Sequence, residues 1–205
     1  MPTLRLILWP SVITLLISVA RFFAETNELV TSRSGGAGAA LGITWLTFVF
    51  GAWFGLQLGR KGLGPKRSPA LPFVTLMVIA GGVAWQFGPM RDADTSDATF
   101  EKLRSAVLVL VAIACAMATV CAIVWPRLAW TMLCYAIPAR ATVVVLTWLA
   151  KVYECDTHYT KFGPPGIERD LPTTMVSASL AQFGFWVPFS VVAGVTAGAW
   201  FGKRR

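Results

Sequence analysis

Residues 105–152 read SAVLVLVAIACAMATVCAIV WPR LAWTMLCYAIPARATVVVLTWLAKV. Two apolar runs, 105–125 and 128–152, are joined by little more than Trp125-Pro126-Arg127, and the first run carries no charge at all. Each is close to the ~20 residues needed to cross ~30 Å of hydrocarbon. A strand with free edges would leave backbone groups unsatisfied in lipid, so both runs predict helices. A proline turn this short makes them an antiparallel hairpin.

Working outward, four more apolar blocks of similar size appear at 4–24, 41–59, 71–89 and 176–201. Only 14% of the chain is charged, against about 25% for a soluble domain, and the mean hydropathy is +0.63. Trp9, Trp45, Trp85, Trp125, Trp130, Trp148 and Trp200 mostly sit near block ends, as an interfacial aromatic belt requires. The expectation is one all-α integral membrane domain over 1–205, a bundle of six transmembrane helices with the lipid bilayer as its solvent. Ser18-Val19-Ala20 has the small-x-small form of a leader cleavage site. The single Arg5 before it and the interrupting Pro10 favour a retained helix.

The connections are polar and rich in helix breakers: Ser34-Gly35-Gly36-Ala37-Gly38, Arg60 to Arg67, Arg91 to Asp97, and a last loop of about 153–175 containing Gly163-Pro164-Pro165-Gly166. With a cytoplasmic N-terminus, the inner segments hold Arg5, Arg60, Lys61, Lys66, Arg67, Arg127, Lys203, Arg204 and Arg205 and no acid. The outer segments hold Arg33, Arg91, Lys102, Arg104, Lys151, Lys161, Arg169 and all 10 acidic residues. The basic bias is modest, but it and the one-sided acids place both termini in the cytoplasm. The net charge of +8 is spread over these loops, without the basic runs interleaved with aromatics that a nucleic-acid surface needs. Cys115, Cys121 and Cys134 lie inside apolar blocks and only Cys155 in a loop, which is no disulfide framework.

Gly51, Gly55 and Gly59 recur every four residues in block two, and Gly194, Gly198 and Gly202 do so in block six. That spacing puts each set on one helix face and allows close backbone approach. Gly-Ala-Trp-Phe-Gly occurs at both 51–55 and 198–202. This fits a duplicated hairpin in which Arg21 answers Arg140, although the spacings from arginine to glycine differ. Tight packing within the chain is the simpler use of these faces. A homo-oligomer interface or a contact with another membrane protein is the alternative.

Arg140 follows Pro138 about 12 residues into its block, near the bilayer midplane, where a charge costs at least ~2.5–3.5 kcal/mol. No acidic residue lies inside any apolar block to pair with it. Pro138 and Pro188 release the carbonyls of Cys134 and Gly184, and Gln182 precedes Pro188 at similar depth. Arg140 is therefore either satisfied by carbonyls, Gln182 or water, or is the centre of a buried anion site. Arg21, with Glu25 at i+4, reads as a helix-end ion pair or a snorkelling side chain.

The last loop begins Glu154-Cys155-Asp156-Thr157-His158-Tyr159 and holds the only histidine. Asp156 and His158 as metal ligands, or Cys155 and His158 as a nucleophile pair, match no standard pattern; a polar loop over the bundle mouth is the plainer account. No cofactor motif is present. Thr157-His158-Tyr159 and Pro164-Pro165-Gly166, after a helix bearing Pro138-Ala139-Arg140, resemble a pattern in uncharacterised bacterial polytopic inner-membrane proteins. The resemblance covers parts of blocks one and two and the last third of the chain. It implies location and helix layout only. The expected function is a structural or accessory membrane subunit, because nothing complete for catalysis is visible; the alternatives are a small transporter or channel using Arg140, and an enzyme acting on a lipid or lipid-linked substrate through the 153–170 loop.

Overall fold

The computed structural model describes residues 3–32, 42–65, 68, 70–87, 97–161 and 169–202. Stretches 34–38, 66–67, 91–96, 163–166 and 203–205, to which the sequence assigned linkers and charges, lie outside the described residues. The fold is all-helical, with no strand among the described residues.

Six helical rods are formed. They are α1 (Thr3–Thr26), α2 (Ile43–Arg60), α3 (Ala70–Phe87), α4 (Asp97–Val124), α5 (Pro126–Val152), and a last rod built from α6 (Leu171–Ser179), a π-helical turn (Leu180–Trp186) and α7 (Val187–Phe201). Four rods are long and apolar enough to cross a membrane: Thr3–Thr26, Arg104–Val124, Pro126–Val152 and Leu171–Phe201. Large apolar side chains such as Leu8, Trp9, Leu16, Val49, Trp85 and Val145 are exposed on the outside of the bundle. On a soluble protein that much apolar surface would be an aggregation hazard; here it is the surface for lipid.

Several boundaries move from their sequence expectations. Helix α4 starts at Asp97 rather than near 105, so its first turns are polar and extend past the apolar run. The last rod starts at Leu171 rather than 176, because the Asp170 carboxylate accepts the Thr173 amide at 3.2 Å and Pro172 suits a first turn. Trp125 has non-helical backbone angles, since a residue before proline is kept out of the α region, and so breaks α4 from α5.

The π turn was not visible in the sequence. Pro188 has no N–H and its ring crowds the carbonyl four residues back. The wider turn directly before it gives the ring room. The Gly184 carbonyl left over accepts from the Cys115 thiol at 3.8 Å.

Helix α7 is the hub and packs on α2, α3, α4 and α5, while α1 lies on α5. Its stretch Ser190–Thr196 is buried on every side, as a helix apolar all round must be. The tightest contact is α2 with α7. Gly51 faces Gly194, Gly55 faces Gly198 and Gly59 faces Gly202, so the two helices run parallel in constant register. A Cβ on Gly55 would lie 2.5 Å from the Gly198 Cα. The two identical pentapeptides are thus out of register by a turn: the last glycine of the first meets the first glycine of the second. The same end of the bundle is tied again by Trp125, whose indole N–H donates to the Leu63 carbonyl at 2.6 Å.

Candidate anion site

The other end of the bundle is open. A cavity of about 210 Å³ lies among the end of α1, the start of α2, the middle of α5, the π turn and the loop after α5. Its walls include Arg21, Arg140, His158, Lys161, Gln182 and Trp186. Arg21, Arg140 and Gln182, far apart in the chain, thus share one enclosure. Three cations face it, and no acidic side chain is among its lining residues.

Arg140 is 4% exposed. One Nη2–H donates to Ser190 Oγ at a long 3.4 Å, and the guanidinium lies 4.9 Å from the Trp186 ring centroid. Ser190 gives its own proton to the Trp186 carbonyl at 2.7 Å, so its oxygen is free to accept from Arg140. No carboxylate and no freed helix carbonyl bonds to Arg140 among the described residues. A guanidinium offers five donors, and the bond to Ser190 uses one of them. Gln182 is 7% exposed, and its Oε1 is buried without a partner. A buried amide oxygen without a partner is a feature a native interior normally avoids.

Of the two sequence readings of Arg21, the ion pair with Glu25 is the one the structure shows. Arg21 is 7% exposed rather than snorkelling, and its Nε–H donates to Glu25 Oε1 at 2.8 Å. Glu25 is 2% exposed and also accepts from His158, through the ring Nδ1 at 2.7 Å and the backbone N–H at 3.0 Å. One carboxylate therefore ties α1 to the loop and turns both partners toward the cavity. Glu25 was seen in the sequence only as the i+4 mate of Arg21; its bond to a residue so distant in the chain left no local signal.

The loop is held down by more than this pair. Thr157 and Tyr159 are buried, the Tyr159 hydroxyl donates to the Ser18 carbonyl at 3.5 Å, and its ring packs against Phe22. At its outer edge the Lys161 ammonium meets Asp156 at 2.7 Å and donates to Ser32 at 2.7 Å. The hydrogen bond from Lys161 to Asp156 holds that carboxyl below its ordinary range. Burial pushes the His158 imidazole below its usual value, against the pull of Glu25. At neutral pH it is then the uncharged tautomer that donates from Nδ1. Burial also raises the Tyr159 phenol far above its ordinary range.

Asp156 and His158 do not converge: the first pairs with Lys161, the second with Glu25. No group of three His, Cys, Asp or Glu side chains that could hold a metal forms among the described residues. The Cys155 thiol donates to the Tyr153 carbonyl at 3.7 Å and is not engaged with His158. All four cysteines are free thiols.

Comparison of the chain with models of protein families, with curated proteins and with solved structures gives no match.

Proposed function

We propose that this chain is a six-span protein of the bacterial inner membrane that binds an anion at Arg140, and that it works as a small anion transporter. The observation that carries this reading is a buried guanidinium with no carboxylate partner among the described residues, in a cavity it shares with Arg21 and Lys161. Groups that no protein partner satisfies are supplied with one by a ligand. The cavity lies at the end where α1 and α5 finish and α2 and α6 begin. Transporters place substrate beside irregular helix turns, and the π turn supplies one here. The parallel register of α2 and α7 calls for an odd number of crossings between them; α3, α4 and α5 would supply three, in keeping with six spans.

Thermal stability of the detergent-solubilised protein across phosphate, sulfate, carboxylates and chloride tests the reading. An anion should raise the melting temperature of the parent and leave Arg140→Leu unchanged; a parent that responds to none sinks the proposal. Topology is checked by cysteine accessibility, with residues 60–67 expected inside and 153–161 outside.

A second reading, an enzyme acting on a lipid-linked substrate, draws on the Glu25–His158 pair at the cavity wall. A carboxylate that fixes one imidazole nitrogen leaves the other available as a base. The subunit reading accounts for the glycine seam and gives the cavity no use.

A further inference from the structure

A second hollow lies back to back with the anion cavity. It is an apolar groove of about 480 Å³ between α3, α4 and the π turn, lined by Ile79, Val83, Leu110, Phe185, Phe189 and Trp186. Trp186 belongs to both walls. Its ring stacks under the Arg140 guanidinium on one side and closes the groove on the other. The π turn makes this arrangement: within its seven residues, Gln182 faces the cavity while Ala181 and Phe185 face the groove. Both hollows lie in the same half of the bundle, where α3 ends and α4 begins.

The sizes are unequal in an informative way. The cavity, about 210 Å³, falls below the about 300–1,000 Å³ of a pocket for a whole small molecule. It fits a head group. The groove is more than twice as large and offers nothing polar to an ion.

We propose that the ligand is a membrane lipid with a phosphate head, its phosphate accepting from Arg140 and its chain in the groove beyond Trp186. The proposal rests on the anion-site reading and adds the substrate class and the route. Arginine matches phosphate oxygens with paired N–H bonds, and Arg140, unlike Arg21 and Lys161, has no carboxylate partner among the described residues. Lateral entry from the bilayer keeps the chain in an apolar medium throughout. The chain already lies among lipid tails, so the groove contributes packing and direction rather than a hydrophobic gain.

The test uses the full chain in maltoside micelles, with melting followed by intrinsic fluorescence. Dodecyl phosphate, inorganic phosphate and dodecanol are titrated separately. Dodecyl phosphate should raise the melting temperature at concentrations at least about tenfold below those of inorganic phosphate, and dodecanol should do nothing. Ala80→Trp places an indole in the groove from an exposed position of α3. It should abolish that advantage and leave the response to inorganic phosphate intact. Ala181→Trp fills the groove from the opposite wall should the first variant not fold. Equal potency of the two phosphates, or a full dodecyl phosphate effect in the filled groove, overturns the lipid proposal while leaving the anion site standing. A parent that responds to neither phosphate, or an Arg140→Leu variant that responds as the parent does, overturns both.

Discussion

The two ends of the same helix pair are built on opposite rules. At one end α2 and α7 touch backbone to backbone through Gly51, Gly55 and Gly59 against Gly194, Gly198 and Gly202. At the other, the start of α2 and the π turn stand apart and frame a polar cavity. The seam has no room and no polar side chain; the cavity has room and a buried amide oxygen without a partner. A bundle closed at one end and splayed at the other holds its open end only if the closed end is rigid. The glycines thus serve the site without touching it, by fixing the angle at which α2 leaves α7.

The seam is where the largest effect is expected. A Cβ on Gly55 would meet the Gly198 Cα and carbonyl oxygen at 2.5 Å, and backbone cannot move aside as a side chain can. Gly55→Leu and Gly198→Leu should each destabilise the fold by at least the upper end of the about 1–3 kcal/mol of an overpacked core. Melting in detergent measures this. Variants that melt like the parent would show the seam to be dispensable and separate the two ends. Gly81, whose Cβ would meet nothing within 4 Å, should accept leucine and serves as the control.

Glu25 comes next, on the cavity side of the comparison. It neutralises Arg21 and holds the loop through two bonds from His158. Glu25→Gln keeps the shape and removes the charge, leaving Arg21 and the His158 donors poorly matched, at about 1–3 kcal/mol for each buried polar group. The loop should detach before the bundle melts. Hydrogen exchange of 156–161 should rise while that of α7 stays slow; equal protection in both proteins would show that the loop is held by Tyr159 packing alone.

The sequence revealed the seam more clearly than the site. Glycines every four residues are a local pattern, and the steric reason for them is the same wherever they occur. Arg140, Gln182 and Arg21 were also marked by a local anomaly, a polar group inside an apolar run, and the fold brings all three to one cavity. What joins them was not readable. Glu25 and His158 sit in polar surroundings where charges are ordinary, and nothing local indicates that they are buried together. Ser190 and Trp186 carry no local mark that sets them apart from other small or aromatic residues of an apolar run. The π turn arises from a three-dimensional conflict at Pro188 that α-helical periodicity does not register.

Arg140 gives a smaller effect on stability and a larger one on binding. Removing a buried cation without an acidic partner lifts its desolvation cost, so Arg140→Leu should fold as stably as the parent or more so. The same variant should lose its response to anions. Arg140→Lys restores the charge without the planar fork and should recover only part of it. Titration of melting temperature against phosphate separates the three proteins. An Arg140→Leu variant that unfolds would mean that the guanidinium is a structural member of the open end, as the glycines are of the closed one.

The smallest effect is a pH dependence confined to the open end. Burial holds His158 below its ordinary pKa even with Glu25 beside it. Arg21, Lys161 and the Tyr159 ring also face it, the ring at 3.9 Å between centroids. A depressed folded pKa means that the unfolded chain takes up the proton first. The contribution of His158 is therefore complete above the unfolded value of about 6.5 and declines as pH falls through the lower folded value. Asp156, held down by Lys161, follows the same sign but acts only where free carboxylates titrate, near pH 4. Between pH 7 and pH 5 the parent should lose melting temperature and His158→Gln should not. The seam has no titratable side chain, so hydrogen exchange along α2 and α7 should stay constant over that range while loop 156–161 loosens. A loss of protection that begins at the seam would place the acid-sensitive group elsewhere.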